Sequence, residues 1–341
     1  MITSRWAPTT GTAFVTLCVI GVGLPGPLEK ADAATTCTAK RLAPVTYTAF
    51  DGHSEVLTPW QGAKVAVLVE PGIRRSRMVM SNMVCALDRA WRYYQRTTGE
   101  TPTPVRTTDG RTDVAEVTST CGAGCTFLGG AGTEIQTTYF EYGYQEIKNH
   151  DLYDQIPFYE FGRSFWFWTD QLSYSPPCTI GDPPTTGFAV WMRFRSMHAA
   201  GVHGAPLFGA TTPFATFRSQ VRGLEGIYDV DTSDTFAGTL CQNRSPGMYG
   251  GTDFWASIMM KLASHYRGQT FVGRFWHHLD SLPTATSTPN AITNWLTDAN
   301  YASCVDLSSV FYQRWGFPQP DGSVVNPRPD ATSVPFPAGH C

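Results

Sequence analysis

Glu160 sits between Tyr159 and Arg163 in the run Phe158-Tyr159-Glu160-Phe161-Gly162-Arg163-Ser164-Phe165-Trp166, where residue types and spacing come nearest to chemistry. A glutamate can pass a proton as a general acid or base, and a phenol and a guanidinium within one helical turn can set its pKa. With about 100° per residue on a helix, Tyr159, Arg163, Trp166 and Asp170 share one stripe, with Glu160 on its border. Phe158, Phe161, Phe165, Trp168 and Leu172 form an adjacent apolar stripe that should face the core. A polar row beside an aromatic face is the pattern of a helix lining a cleft. Glu160, Tyr159 and Arg163 are therefore candidate catalytic residues, and Trp166 and Asp170 candidate substrate contacts. The structural alternative is a buried Glu160–Arg163 ion pair that satisfies two charges and does nothing else.

A second carboxylate would complete the arrangement used on glycosides. Asp170, Glu225, Asp229 and Asp253 are available, and their spacing selects none of them. His198 is a further catalytic candidate, and with His203 or the adjacent His277 and His278 it is the only source of substitute metal ligands. The His198 pair is five positions apart instead of the four that place two ligands on one helical face, and adjacent histidines diverge. No Gly-x-Ser-x-Gly elbow, phosphate loop or dinucleotide fingerprint occurs. The glycines at 129, 130 and 132 read as a turn between strands.

Elements must hold these residues. Residues 34–60 read as coil or an edge-strand lead-in. Lys64–Val69 and Asp113–Val117 read as strands, and the apolar spacing from Val79 to Thr98, stopped by Gly99, reads as a helix. After Thr137 the pattern is helical, with candidates at 138–149, 156–171, 186–200, 213–228, 252–267, 269–280, 288–302 and 306–315.

Strands first, a central helix carrying the glutamate, and a helical back half follow the order of zincin-type peptidases. The central segment is similar to the active helix of the enhancin and mucinase-type gluzincins, which reads His-Glu-x-Gly-His-Asn. Tyr159-Glu160-Phe161-Gly162-Arg163-Ser164 keeps the glutamate and the glycine and replaces both histidines. Val305–Phe311 and Trp315-Gly316-Phe317-Pro318 resemble the helix and exit that close the helical half in such proteins. The resemblance covers residues 64–318. It implies an α+β, zincin-like fold, with a small N-terminal β-containing part packed on a mainly helical C-terminal half. Arg163 would bring a permanent positive charge to a ligand position, so no metal and no cofactor is expected.

The ends of the chain add a setting. Arg5, the apolar run Ala13–Leu24 and Ala31-Asp32-Ala33 read as an export signal, too short to span a bilayer. Past it, Cys37, Cys85, Cys121, Cys125, Cys178, Cys241, Cys304 and Cys341 form an even set, the pattern of a disulfide-bonded exported protein. The Cys121–Cys125 loop could close on itself or hold metal. A net charge of −3 with no basic tract gives no basis for nucleic-acid binding, and no later segment is apolar enough for membrane insertion. The expected organisation is a signal peptide (1–33), an N-terminal α/β subdomain (34–150), a helical subdomain (151–316) and a coil tail (317–341) tied down by Cys341, with Cys304 as the candidate partner. The expected function is an atypical secreted hydrolase of extracellular polymer, with polysaccharide or glycoprotein slightly ahead of protein because zinc ligands are missing and Trp and Tyr abound. A pseudopeptidase that only binds glycan or protein, and a zinc peptidase with unusual ligands, are the alternatives.

Overall fold

Val65–Val69 is apolar at every position and buried throughout, as expected of a strand with both sheet faces covered. The computed structural model of the protein describes residues 37–178, 183–326, 328–339 and 341. The expected signal segment lies outside them. Strands β1 (Lys40–Arg41), β2 (Val45–Thr48) and β3 (Ser54–Gln61) lead antiparallel into β4 (Val65–Val69), so of the two readings of this lead-in, coil or edge strand, the structure has largely strand. Helix α1 (Arg77–Thr98) then crosses over to β7 (Arg111–Val117), which runs parallel to β4. Between them lie β5 (Thr103–Pro104) and β6 (Thr107–Thr108). After β8 (Gly124–Cys125) and β9 (Gly130–Ala131), strand β10 (Thr133–Gln136) pairs parallel with β7, and β8 pairs antiparallel with β10 at the sheet edge. One face of the sheet presents Val65, Val67, Val114 and Ile135 to the main core. On the other face Ala66, Leu68, Ala115 and Val117 pack under Tyr47 and Leu57.

The helical part follows the periodicity except at two places. It comprises α2 (Thr137–His150), α3 (Ile156–Ser164), α4 (Thr169–Leu172), α5 (Pro183–Ala199), α6 (Phe214–Val230), α7 (Gly251–His265), α8 (Gln269–His278) and α9 (Thr288–Ser303). The expected helix 306–315 is a short π-helical turn at Ser309–Arg314. Helix α5 is the hub: α3 and α7 pack on it, and α1 also reaches it. One hydrophobic cluster runs from Ala39 through the sheet and helices to Phe317, and Cys37–Cys341 form one compact unit.

The expected helix 156–171 is broken. Helix α3 stops at Ser164, and a turn intervenes before the single turn of α4. Two residues apart on a continuous helix, Trp166 and Trp168 would diverge by roughly 200°. In the structure both are buried, their ring centroids 5.9 Å apart, around Phe188 and Trp276. Burial of both indoles in one cluster is the physical reason we assign to the break.

The eight cysteines pair as Cys37–Cys85, Cys121–Cys125, Cys178–Cys241 and Cys304–Cys341. Of the two readings of the Cys121–Cys125 loop, the structure has closure on itself, and Cys341 ties the tail to the end of α9 through Cys304, the candidate partner.

Candidate functional site

Helix α3 is held at both ends and along one side. At its start the Asp154 carboxylate accepts the Ile156 N–H at 2.9 Å, and Pro157 occupies the first turn, where a missing N–H costs nothing. At its end the Arg163 carbonyl accepts the Gly129 N–H at 3.2 Å, which ties the loop after β8 to the helix. Along its side Gly162 lies against α5, where an added Cβ would sit 2.5 Å from Ala189 Cα. The glycine thus lets two helix backbones approach closely. Tyr159, Glu160 and Arg163 are carried on this fixed helix.

They open onto a cleft of about 500 Å³ between the disulfide loop at β8, α3, α5 and the first turn of α7. Strand β8 covers Glu160 closely: a Cβ on Gly124 would come within 3.0 Å of Glu160 Cγ. Glu160 is only 4% exposed, yet its Oε2 has no hydrogen-bond partner among the described residues. Burial pushes its carboxyl up to about 7, with the Arg163 charge and the Thr126 hydroxyl pulling against it. Arg163 Nε is 3.8 Å from Glu160 Oε2, and its Nη2 donates to the Tyr159 hydroxyl at 3.1 Å. Burial draws the Arg163 pKa down, but Tyr159 and Glu160 outweigh it and leave it raised, so Arg163 is a permanent cation.

Two further groups complete the cleft, Arg193 from α5 and Asp253 from α7. Arg193 Nη1 donates to Gln155 Oε1 at 2.5 Å, and its Nη2 stands 3.9 Å from Asp253 Oδ1. Burial lowers the Arg193 pKa against the pull of Asp253. Asp253 accepts the Gly250 N–H at 3.3 Å. Burial raises its pKa, with Arg193 and the Gly250 N–H opposing. Of the four acids available from the sequence, Asp253 lines the cleft with Glu160. Glu225 is paired with Lys261 at 3.1 Å, Asp229 is paired with Arg314, and Asp170 is exposed outside the cleft. No sequence periodicity pointed to Arg193, because the cleft forms only when α5 and α7 pack beside α3.

Three expectations are corrected. Trp166 is buried, donating its indole N–H to Thr169 Oγ1 at 2.9 Å, and does not line the cleft. Asp170 sits on α4, where its carbonyl accepts the Ala285 N–H at 2.7 Å. Because α3 ends before both residues, neither continues the polar stripe of Tyr159 and Arg163. His198 is exposed at the end of α5 and does not line the cleft. The tryptophans at 166, 168, 191, 255, 276, 295 and 315 are all buried, so they offer no sugar-stacking surface.

The zinc implied by the gluzincin resemblance does not fit the residues present. Tyr159 and Arg163 stand at the two histidine positions, a second guanidinium faces the same cleft, and no histidine lines it. Two fixed cations offset the two carboxylates, Glu160 and Asp253, and so oppose a divalent ion.

No family model matches the chain, and no curated protein matches it. In fold it is similar to the crystal structure of a functionally unknown conserved protein mutant from Bacillus anthracis str. Ames, with 10% identity and a TM-score of 0.51, over 79% of this chain and 49% of that one. A functionally unknown conserved protein from the same organism is matched with 10% identity and a TM-score of 0.44, over 75% of this chain and 48% of that one. The chain spans about half the length of both. The first likeness carries the α+β architecture and no chemistry.

Proposed function

We propose that the protein is an exported hydrolase that cleaves glycosidic bonds of an extracellular polymer on a zincin-like scaffold without metal. Glu160 is the general acid and Asp253 the partner carboxylate. The observation that carries this reading is Glu160 itself, a nearly buried carboxyl with an unpartnered oxygen at a cleft that holds a second acid. A carboxyl titrating near 7 keeps its proton in about half of the molecules at neutral pH, as a general acid must.

In the proposed reaction the Glu160 proton passes to the glycosidic oxygen as the bond from that oxygen to the anomeric carbon breaks. Asp253, whose charge Arg193 favours against the burial that raises its pKa, takes a proton from the water that attacks the same carbon. Arg163 then faces the Glu160 carboxylate left behind and stabilises it until it is reprotonated. Four disulfides suit an oxidising compartment. The preference for glycan rests on the carboxylate pair and no longer on tryptophan content.

Release of reducing ends from a panel of polysaccharides, with protein substrates in parallel, tests this. Wild type should act on at least one glycan, and Glu160→Gln and Asp253→Asn should each lower turnover by about 100-fold or more. Cleavage of protein alone, or glycan cleavage untouched by Glu160→Gln, would sink it.

A further inference from the structure

Arg193 is an arginine with too few partners for its depth. It is 6% exposed, and its guanidinium is ringed by Tyr159, Phe194 and Phe217 at 5.5, 4.9 and 4.9 Å from their ring centroids. A guanidinium has five N–H donors. Here one is taken by Gln155 at hydrogen-bond distance, Asp253 stands off at 3.9 Å, and Nε has no partner among the described residues. Leaving a buried charged donor unsatisfied is costly, so such a group in a native protein calls for an explanation. Arg163 adds a second cation on the same wall: its guanidinium lies 5.4 Å from the Tyr159 ring that Arg193 also faces. Both cations line the cleft with Glu160. Three aromatic rings orient the Arg193 plane and Tyr159 tethers Arg163, so the entropy cost of presenting two forks to an anion is already met by the fold.

We propose that Arg193 and Arg163 form a carboxylate subsite, and that the substrate is an acidic glycan whose uronic-acid carboxylate docks between the two guanidinium groups next to Glu160. The inference rests on the reading of this cleft as a glycan site. A planar carboxylate can accept two parallel N–H bonds from one guanidinium, which a hydroxyl of a neutral sugar cannot do. Asp253 is close enough to Arg193 to balance its charge and, at 3.9 Å, too far away to accept a hydrogen bond from it.

Equilibrium binding by calorimetry separates the possibilities, using trigalacturonate, the neutral trisaccharide of galactose and a triglutamate peptide as probes. Wild type should bind trigalacturonate about tenfold or more tighter than the neutral trisaccharide, and the preference should weaken with salt. Arg193→Gln should remove it. If that variant does not fold, Arg163→Gln, whose side chain is 32% exposed, should still reduce the preference several-fold. Glu160→Gln should keep it. Equal binding of acidic and neutral trisaccharides by wild type, or a preference unchanged in Arg163→Gln, overturns the subsite. Tighter, arginine-dependent binding of triglutamate overturns the glycan assignment in favour of an acidic peptide. Selective binding of trigalacturonate without turnover of any polysaccharide in the panel supports the subsite while removing the hydrolase reading. Turnover of neutral polymers alone does the reverse.

Discussion

Arg163 Nε lies 3.8 Å from Glu160 Oε2, beyond hydrogen-bond distance, so this i, i+3 pair has proximity without a bond. A satisfied buried ion pair would hold Glu160 ionised, yet burial outweighs Arg163 and raises the carboxyl pKa to about 7. The geometry therefore separates a proton donor from a structural pair, and the two differ in their dependence on pH.

Glu160 binds its proton more tightly in the folded chain than at its ordinary value of 4.5. Its contribution to stability is then full below about pH 4.5 and is lost as pH rises through about 7, on the order of 3 kcal/mol in all. Denaturant unfolding from pH 4.5 to 8 should show wild type falling relative to Glu160→Gln, with the variant at least as stable at pH 8. A wild type that gains on the variant as pH rises would restore the ion-pair reading.

Gly162 keeps α3 against α5, because a methyl group there would meet Ala189 Cα at 2.5 Å. Gly162→Ala should cost about 1–3 kcal/mol and, by shifting Glu160, lower turnover as well. Gly223 in α6 has nothing within 4 Å of an added Cβ, so Gly223→Ala should be neutral or gain up to about 1 kcal/mol. Melting temperatures of the two variants check the contrast.

Trp166 and His198 should behave oppositely. Truncating Trp166, buried at 1% exposure, to Ala should cost about 3–5 kcal/mol, with any loss of activity following loss of fold. His198→Ala, on an exposed position, should stay within about 0.5 kcal/mol of wild type and turn over normally. A kinetic defect in His198→Ala at unchanged stability would return that residue to the site.

The tail has several anchors besides its disulfide. Tyr266 donates its hydroxyl to the Pro337 carbonyl at 3.1 Å, and Arg314 Nη1 donates to the Val334 carbonyl at 3.0 Å. Cys304→Ser with Cys341→Ser should therefore lose on the order of 2–4 kcal/mol while the tail stays docked. Denatured, unreduced wild type should offer no thiol to a labelling reagent, and proteolysis of the double variant should not begin in residues 317–341 under native conditions.

Local pattern determined a good deal by itself. The helices at 77–98, 137–150, 214–230 and 288–303 and the strand at 65–69 follow from apolar spacing, with Gly99 stopping the first helix, because periodicity and capping act over a few residues. The even cysteine set and the placing of Glu160, Tyr159 and Arg163 on one helix were legible for the same reason. What periodicity could not tell was where α3 ends, since the break follows from how Trp166 and Trp168 meet Phe188 and Trp276, and α8 supplies the last of these. Nor could it choose Asp253 from four acids or find Arg193, whose roles depend on α5 and α7 closing one cleft beside α3 and β8. The raised pKa of Glu160 is decided at that level too, because desolvation is set by what packs around a carboxyl in space and not by its neighbours in the chain.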